Sequence, residues 1–156
     1  MCVCLCDVSV VVVADAELEE WSVDDVSQTE DVIVSQWREV SADENHQMRE
    51  QVNEILRPLG FETSLLVIRR ANSLALFFIC MSLSAVVSLR DHWRTRRLRD
   101  IVQDLFTILS GNTWSHGSTR EVRVERLTWP LTEYERCLEF FQSLQGKQQY
   151  THKSLE

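Results

Sequence analysis

The sequence predicts an α+β sandwich, in which helices pack against a four-stranded antiparallel sheet. Residues 74–81 (LALFFICM) are apolar on both alternating faces, which is typical of a strand in the middle of a sheet. From about residue 85 the apolar spacing becomes helical, and Gly111 marks a natural helix end. The 156 residues, 44% hydrophobic and 26% charged, suffice for one domain with a sizeable core.

Two segments near the N-terminus compete for the first strand. Residues 8–14 (VSVVVVA) form a run rich in β-branched side chains, and residues 31–37 (DVIVSQW) form a second candidate. The acidic stretch between them, residues 15–30, is predicted to be a loop. We prefer residues 8–14, because a central strand is expected to be continuously apolar, and residues 31–40 then belong to a long connection.

A helix and a hairpin are predicted next. Residues 41–44 (SADE) match a capping box, and apolar residues follow at helical spacing: Met48, Val52, Ile55 and Leu59. Pro58 and Gly60 indicate the end of this helix. Residues 64–68 form a strand by composition, and a tight turn at residues 71–72 joins it to the apolar strand.

The second half of the chain supplies a helix, a strand and a further helix. The first helix runs to about residue 109, and a polar loop (residues 112–119) leads to an edge strand at residues 122–127. A second capping box, residues 132–135, opens the last helix, which Gly146 is expected to end. Its apolar stripe comprises Tyr134, Cys137, Leu138 and Phe141.

This order of elements is that of a ferredoxin-like, split βαβ sandwich with an extra C-terminal helix. In that topology the first and third strands are central, and the second and fourth are edges. The prediction divides the chain into an N-terminal segment with the first strand and an acidic loop (residues 1–40), an α/β domain (residues 41–146) and a polar tail (residues 147–156).

No convincing catalytic or metal-binding constellation is present in the sequence. The four histidines are scattered, and neither a GxxxxGK[ST] nor a GxGxxG motif occurs. Five cysteines lack CxxC spacing, so we expect reduced thiols in the cytoplasm, with no metal or cofactor. Glu133 and Glu135 are acidic neighbours of Cys137 on the predicted helix and are expected to raise its pKa, which argues against a reactive thiol. We therefore expect no enzymatic activity.

The net charge of −8 argues against general attraction to nucleic acid or anionic lipid. One basic segment contrasts with it, since residues 90–99 hold five arginines, of which Arg90, Arg94 and Arg97 are the candidate patch. This basic segment is either a solvated helix face or a contact site for an acidic partner.

An uncharged run, residues 71–89, is also compatible with a membrane-spanning helix. Its 19 residues are flanked by arginines and would match a bilayer core as a single helix. The alternative function is therefore a single-span membrane protein. The change from strand to helix spacing within the run favours the sandwich, in which it contributes a central strand and a helix start.

The central strand also suggests a contact surface. If helices cover one face of the sheet, the other face shows large apolar side chains, and such a face usually binds a partner. The exposed set is either Leu74, Leu76 and Phe78 or Phe77, Ile79 and Met81. A covering helix, or residues 31–40, is the alternative to a partner.

The segment from Gln47 to Phe141 resembles the N-terminal, TRAF-binding domain of the TNF-receptor-associated death-domain adaptor TRADD. The resemblance rests on SLRDHWRTRRLRDIVQDLF (residues 88–106), on the hairpin LLVIRRANSLALFFIC (residues 65–80) and on EYERCLEFF (residues 133–141). It implies a non-enzymatic cytoplasmic adaptor for signal transduction in apoptosis or TNF receptor signalling. Its partner would be a TRAF domain, with no nucleic acid, membrane or cofactor expected.

The resemblance also implies a contact region. In that family the turn after the second strand and an apolar position early in the third strand meet the partner, and these positions hold Arg69, Arg70, Ala71 and Leu76 here. Phe78 shares the alternating face of Leu76, so it joins the predicted contact residues. The family has His and Ser at the positions of Arg69 and Ala71. This chain therefore gains a charge at Arg69 and lacks the hydroxyl donor at Ala71.

Overall fold

A computed structural model describes residues 3–15, 23–42, 44–71, 73–111 and 121–153. Four strands and five helices are present in these residues, together with one turn of 3₁₀ helix at Arg57–Leu59. The strands are β1 (Cys4–Asp15), β2 (Thr63–Arg70), β3 (Leu74–Cys80) and β4 (Glu121–Thr128). The helices are α1 (Val23–Ser41), α2 (His46–Leu56), α3 (Leu83–Arg94), α4 (Arg97–Ser110) and α5 (Leu131–Lys153).

The four strands form one antiparallel sheet in the order β2-β3-β1-β4. This confirms the predicted α+β class and its four-stranded antiparallel sheet, and the strand order is compatible with the split βαβ pattern. The preferred first strand, residues 8–14, lies within β1, and β1 and β3 are the central strands as expected.

The segment between β1 and β2 differs most from prediction. Residues 31–37 belong to α1, and residues 23–30, predicted to be part of a loop, form its first two turns. The reason is a helical stripe: Ile33, Trp37 and Val40 recur at helical spacing and are all buried. The β-branched residues 32–34 favour a strand locally, and the helical stripe is recognised only when the residues on both sides of them are included.

Three helix boundaries were also predicted wrongly. Because α1 runs through Ser41, the capping box at residues 41–44 does not start α2, and the Asn45 side chain accepts the hydrogen bond from the Met48 backbone instead. The last helix begins at Leu131, directly after Pro130, one residue before the predicted box. It also continues through Gly146 to Lys153, so Gly146 does not end the helix, and residues 147–153 of the predicted polar tail are helical.

The predicted single helix from residue 85 to 109 is two helices, α3 and α4. Arg96 lies between them with φ of 67°, the left-handed conformation that commonly follows a helix end. The Arg96 backbone N–H bonds to the Trp93 carbonyl, so the break has its own hydrogen bond. The polar loop predicted at residues 112–119 and the turn residue Asn72 lie outside the described residues.

One continuous core joins the helices to a single face of the sheet. The side chains at alternate positions of the central strands are almost completely buried there: Cys4, Cys6, Val8, Val10 and Val12 in β1, and Leu74, Leu76, Phe78 and Cys80 in β3. Ile33 of α1 and Phe141 of α5 belong to the same core. Residues assigned by sequence to separate segments therefore share one packed interior.

The uncharged run is divided between the β2–β3 turn, β3 and α3. No helix in the described part of the chain is long and apolar enough to cross a membrane.

Candidate interaction surface and thiol cluster

The face of the sheet opposite the helices is the candidate interaction surface. We call it the open face and define it by nine residues of the three adjacent strands: Leu5, Asp7, Ser9 and Val11 of β1, Ala75, Phe77 and Ile79 of β3, and Val67 and Arg69 of β2. The register places Leu5 beside Ile79, and Asp7 and Val67 on either side of Phe77. Leu5 is 44% exposed, and Phe77 and Ile79 are half-buried.

The structure distinguishes the two alternatives for the exposed set of β3. Leu76 and Phe78 have no accessible surface because the helices cover them, so their predicted place at a contact surface is wrong. Phe77 and Ile79 point the other way, and Met81 follows β3 with 37% of its surface exposed. A strand that is apolar on both faces could not reveal which face the helices take.

The three turn residues implied by the resemblance have different surroundings. Arg69 lies on the open face, with its guanidinium carbon 5.7 Å from the centre of the Phe77 ring. Arg70 turns to the helix side, where it lies 3.2 Å from the Glu30 carboxylate. Ala71 is exposed in the turn. Only Arg69 therefore joins the exposed apolar residues, while Arg70 fastens β2 to α1.

Asp7 places a carboxylate among the apolar side chains of the open face. Burial raises its pKa, the nearby Glu133 raises it further, and Arg69 opposes both effects. Its Oδ1 atom is buried and has no hydrogen-bond partner among the described residues. The missing hydrogen bond adds to the cost of burying this carboxylate.

Side chains from the helices occupy backbone groups at the sheet edges. On β4, the amide of Gln103 pairs with both the Val122 carbonyl (2.6 Å) and the Val124 N–H (2.7 Å), as a neighbouring strand would. Arg99 donates to the Val124 carbonyl at 2.9 Å. Beyond the end of β4, Arg136 of α5 donates to the Leu5 carbonyl at 2.9 Å. Strand addition is hindered at these positions.

Two of the three arginines of the candidate basic patch are exposed, and the third is structural. Arg94 and Arg97 point to solvent, and Arg94 pairs with Asp91 at 3.1 Å. Arg90 instead stacks on three aromatic rings, with distances to their centres of 4.1 Å (Trp93), 5.0 Å (Tyr134) and 5.3 Å (Trp129). It also donates to the Trp129 carbonyl at 2.6 Å. Burial lowers its pKa.

Four cysteines that are distant in sequence meet in the core; we call them the thiol cluster. The Sγ atoms of Cys4 and Cys137 are 2.8 Å apart, Cys6 lies 3.6 Å from Cys137, and Cys80 lies 3.8 Å from Cys6. Sequence reasoning missed this cluster, because only the packing of α5 on β1 brings Cys137 to the strand. Within the described residues no group of His, Cys, Asp or Glu side chains is arranged to hold a metal ion.

The pKa of Cys137 is contrary to the sequence-based expectation. Hydrogen bonds from Cys6 and then Cys4, helped by the charge of Arg136, lower it to about 6, although burial and Glu133 act in the opposite direction. The pKa of Cys4 is raised to about 12, chiefly by burial and by its bond to Cys137. The cluster therefore contains one thiol that ionises easily beside one that does not.

Comparisons with protein-family models, with curated proteins and with solved structures found no match for this chain. The open face and the thiol cluster are thus interpreted from their own geometry, and the resemblance to the TRADD N-terminal domain stays a prediction from the sequence.

Proposed function

We propose that this chain is a non-enzymatic protein-interaction domain that binds a TRAF-type adaptor domain through its open face. The observation that carries the proposal is the group formed by Leu5, Phe77 and Ile79, which no described helix covers. Apolar side chains grouped on an exposed face are typical of a protein contact. The resemblance supports the partner class, and it places the domain in cytoplasmic TNF receptor, death or innate immune signalling.

The remaining surfaces are less suited to a partner. Most apolar side chains of the helices lie in the core, although Val87, Leu131 and Phe140 remain exposed, and helical side chains occupy backbone groups of β4 and of the first half of β1. Side-chain contact with the face of the sheet is therefore favoured over addition of a strand at these edges.

The charges of the open face specify what the partner must offer. Arg69 presents a cation at the border of the open face beside Phe77. A complementary partner has apolar side chains at the centre of its contact and a carboxylate opposite Arg69.

The direct test is calorimetric titration of the purified chain with purified TRAF domains. Phe77→Asp is expected to weaken binding at least tenfold, because it places a charge in the centre of the contact. The matched control is Phe61→Asp, since Phe61 is fully exposed in the loop before β2 and lies outside the open face. We expect this control to bind as the unchanged chain does.

A second variant, Leu5→Asp, tests the same face from the neighbouring strand, and circular dichroism verifies folding of each variant. If no TRAF domain binds the unchanged chain, the proposed partner is wrong. If the folded Phe77→Asp and Leu5→Asp variants bind as well as Phe61→Asp does, the proposed surface is wrong.

A further inference from the structure

The thiol cluster connects the first strand of the sheet to the last helix. Cys4 lies at the start of β1, Cys137 lies in the second turn of α5, and 2.8 Å separates their Sγ atoms. A disulfide bond requires about 2.05 Å, so an approach of less than 1 Å joins the two atoms. The other sulfur pairs of the cluster, at 3.6 Å and 3.8 Å, are farther from bonding distance.

We propose that Cys4 and Cys137 form a reversible disulfide when the protein meets a small peroxide, and that this bond fixes α5 to β1. The inference is independent of the proposed function, because it rests on the interior of the domain and not on the open face.

The surroundings of Cys137 favour it as the sulfur that reacts first. The guanidinium of Arg136 lies 3.9 Å from its Sγ atom, the thiol of Cys4 donates a hydrogen bond to it at 2.8 Å, and the Sγ atom of Cys6 lies 3.6 Å away. These groups stabilise the thiolate, which is the nucleophilic form of cysteine. Glu133 opposes them, but its carboxylate is itself bound to Arg136 at 3.1 Å.

The reaction balances with hydrogen peroxide as the oxidant. The Cys137 thiolate attacks one peroxide oxygen, an S–O bond forms, the O–O bond breaks, and the departing hydroxide takes a proton to become water. The Cys4 sulfur then attacks the resulting sulfenic acid and the S–S bond forms. The S–O bond breaks, and the released hydroxide leaves as a second water with the Cys4 proton. Two thiols lose two hydrogen atoms in all, and a dithiol reverses the change by exchange.

Burial determines which oxidants can react. Cys4 is 4% exposed, and the other three cluster thiols have no accessible surface. Hydrogen peroxide is similar in size to water, so it needs a much smaller opening to reach a buried thiol than glutathione disulfide does. We therefore expect peroxide to oxidise the pair at least tenfold faster than glutathione disulfide does at equal concentration.

Mass spectrometry of the full chain tests the proposal. After peroxide treatment, the intact mass should fall by two hydrogen atoms, and dithiothreitol should restore it. Digestion with trypsin should then yield residues 1–38 joined to residues 137–147. Because no lysine or arginine precedes Arg38, Cys2, Cys4 and Cys6 share one peptide, so fragmentation within it must assign the bond.

Single variants give the same assignment by a second route. Cys4→Ala and Cys137→Ala should both abolish the loss of two hydrogen atoms, whereas the matched controls Cys80→Ala and Cys2→Ala should retain it. A bond that joins Cys6 to Cys80 or includes Cys2 would overturn the proposal. The proposal would also be overturned if peroxide only added oxygen atoms to the unchanged chain and formed no disulfide. This result does not depend on whether any variant folds.

Discussion

Arg90 is a charged residue that acts as a packing element. Its guanidinium contacts rings from α3, from the segment after β4 and from α5, so one side chain holds three parts of the chain together. The planar, weakly hydrated guanidinium can stack on aromatic faces and still donate hydrogen bonds, which an ammonium or an apolar chain cannot do. From sequence, Arg90 was indistinguishable from the exposed arginines that follow it.

We expect Arg90→Met to lower the free energy of unfolding by about 1–3 kcal/mol, because it removes the cation–π contacts and the bond to the Trp129 carbonyl. The matched control is Arg97→Met on the exposed start of α4, which should change stability by less than about 0.5 kcal/mol. Urea unfolding measures both values. Equal losses in the two variants would show that Arg90 has no special structural role.

Asp7 should make stability depend on pH. Its pKa is raised above the ordinary value of 3.8, mainly by burial, so the protonated form favours folding. That contribution is complete below the ordinary pKa and is lost as the pH rises through the higher pKa of the folded state. At pH 7 the ionised Asp7 therefore destabilises the fold.

Asp7→Asn keeps the shape of the side chain and removes the ionisation. We expect this variant to be more stable than the unchanged chain at pH 7, by less than about 1 kcal/mol because solvent screens a half-buried group. Urea unfolding at pH 7 and at pH 4 checks the result, and the gain should shrink at the lower pH. A variant less stable than the unchanged chain at pH 7 would contradict this account.

Among the helices and strands, those with a clear local pattern of apolar residues were predicted correctly. The apolar run of β3, the strand before it and the amphipathic stripe of α4 were visible in the sequence. The helix α1 was not, because Val32, Ile33 and Val34 favour a strand locally and the helical stripe extends well beyond them. Packing of that stripe against the core outweighs the local propensity.

The break between α3 and α4 was also hard to predict, because the sequence at this position is not typical of a helix end. A left-handed residue after a helix is usually glycine, and this position holds Arg96. The apolar spacing continues across the break, so the two helices look like one in the sequence.

We expect Arg96→Gly to stabilise the protein by about 0.5–1 kcal/mol, because glycine adopts a positive φ without the steric cost of a Cβ atom. The matched control is Arg97→Gly, which places glycine in a helical residue and should give no gain. Thermal unfolding of the two variants measures the difference. A loss of stability in Arg96→Gly would show that the arginine side chain contributes more than its backbone conformation costs.

For the whole molecule, the sequence predicted which strands are central but not what meets in three dimensions. The order of elements and the apolar content of β1 and β3 were sufficient for the topology. The thiol cluster depends on the placement of α5 beside β1, and the choice between Leu76 and Phe77 as the exposed residue depends on which face the helices cover. Neither is encoded in local spacing, so both required the structure.

Oxidation should change the stability of the entire domain. A bond between Cys4 and Cys137 closes a loop that contains nearly all of the sheet and helices, and it restricts the unfolded chain strongly. Disulfide bonds typically stabilise by about 2–4 kcal/mol, and the chain-entropy model gives about 5 kcal/mol for a loop of this length. Calorimetry should show a higher Tm after peroxide treatment, and dithiothreitol should reverse it. A lower Tm in the oxidised protein would mean that the bond strains the native packing.

The contacts of Gln103, Arg99 and Arg136 with strand backbone have a consequence for how copies of this protein behave in a crowded solution. Each of these side chains occupies hydrogen-bonding groups that would otherwise act as a template for another extended chain. These contacts leave fewer free backbone groups on β4 and on the first half of β1 for a second chain to pair with. Any event that detaches α4 or α5 would remove this protection while leaving the strands intact, so partial unfolding is a greater aggregation hazard here than complete unfolding.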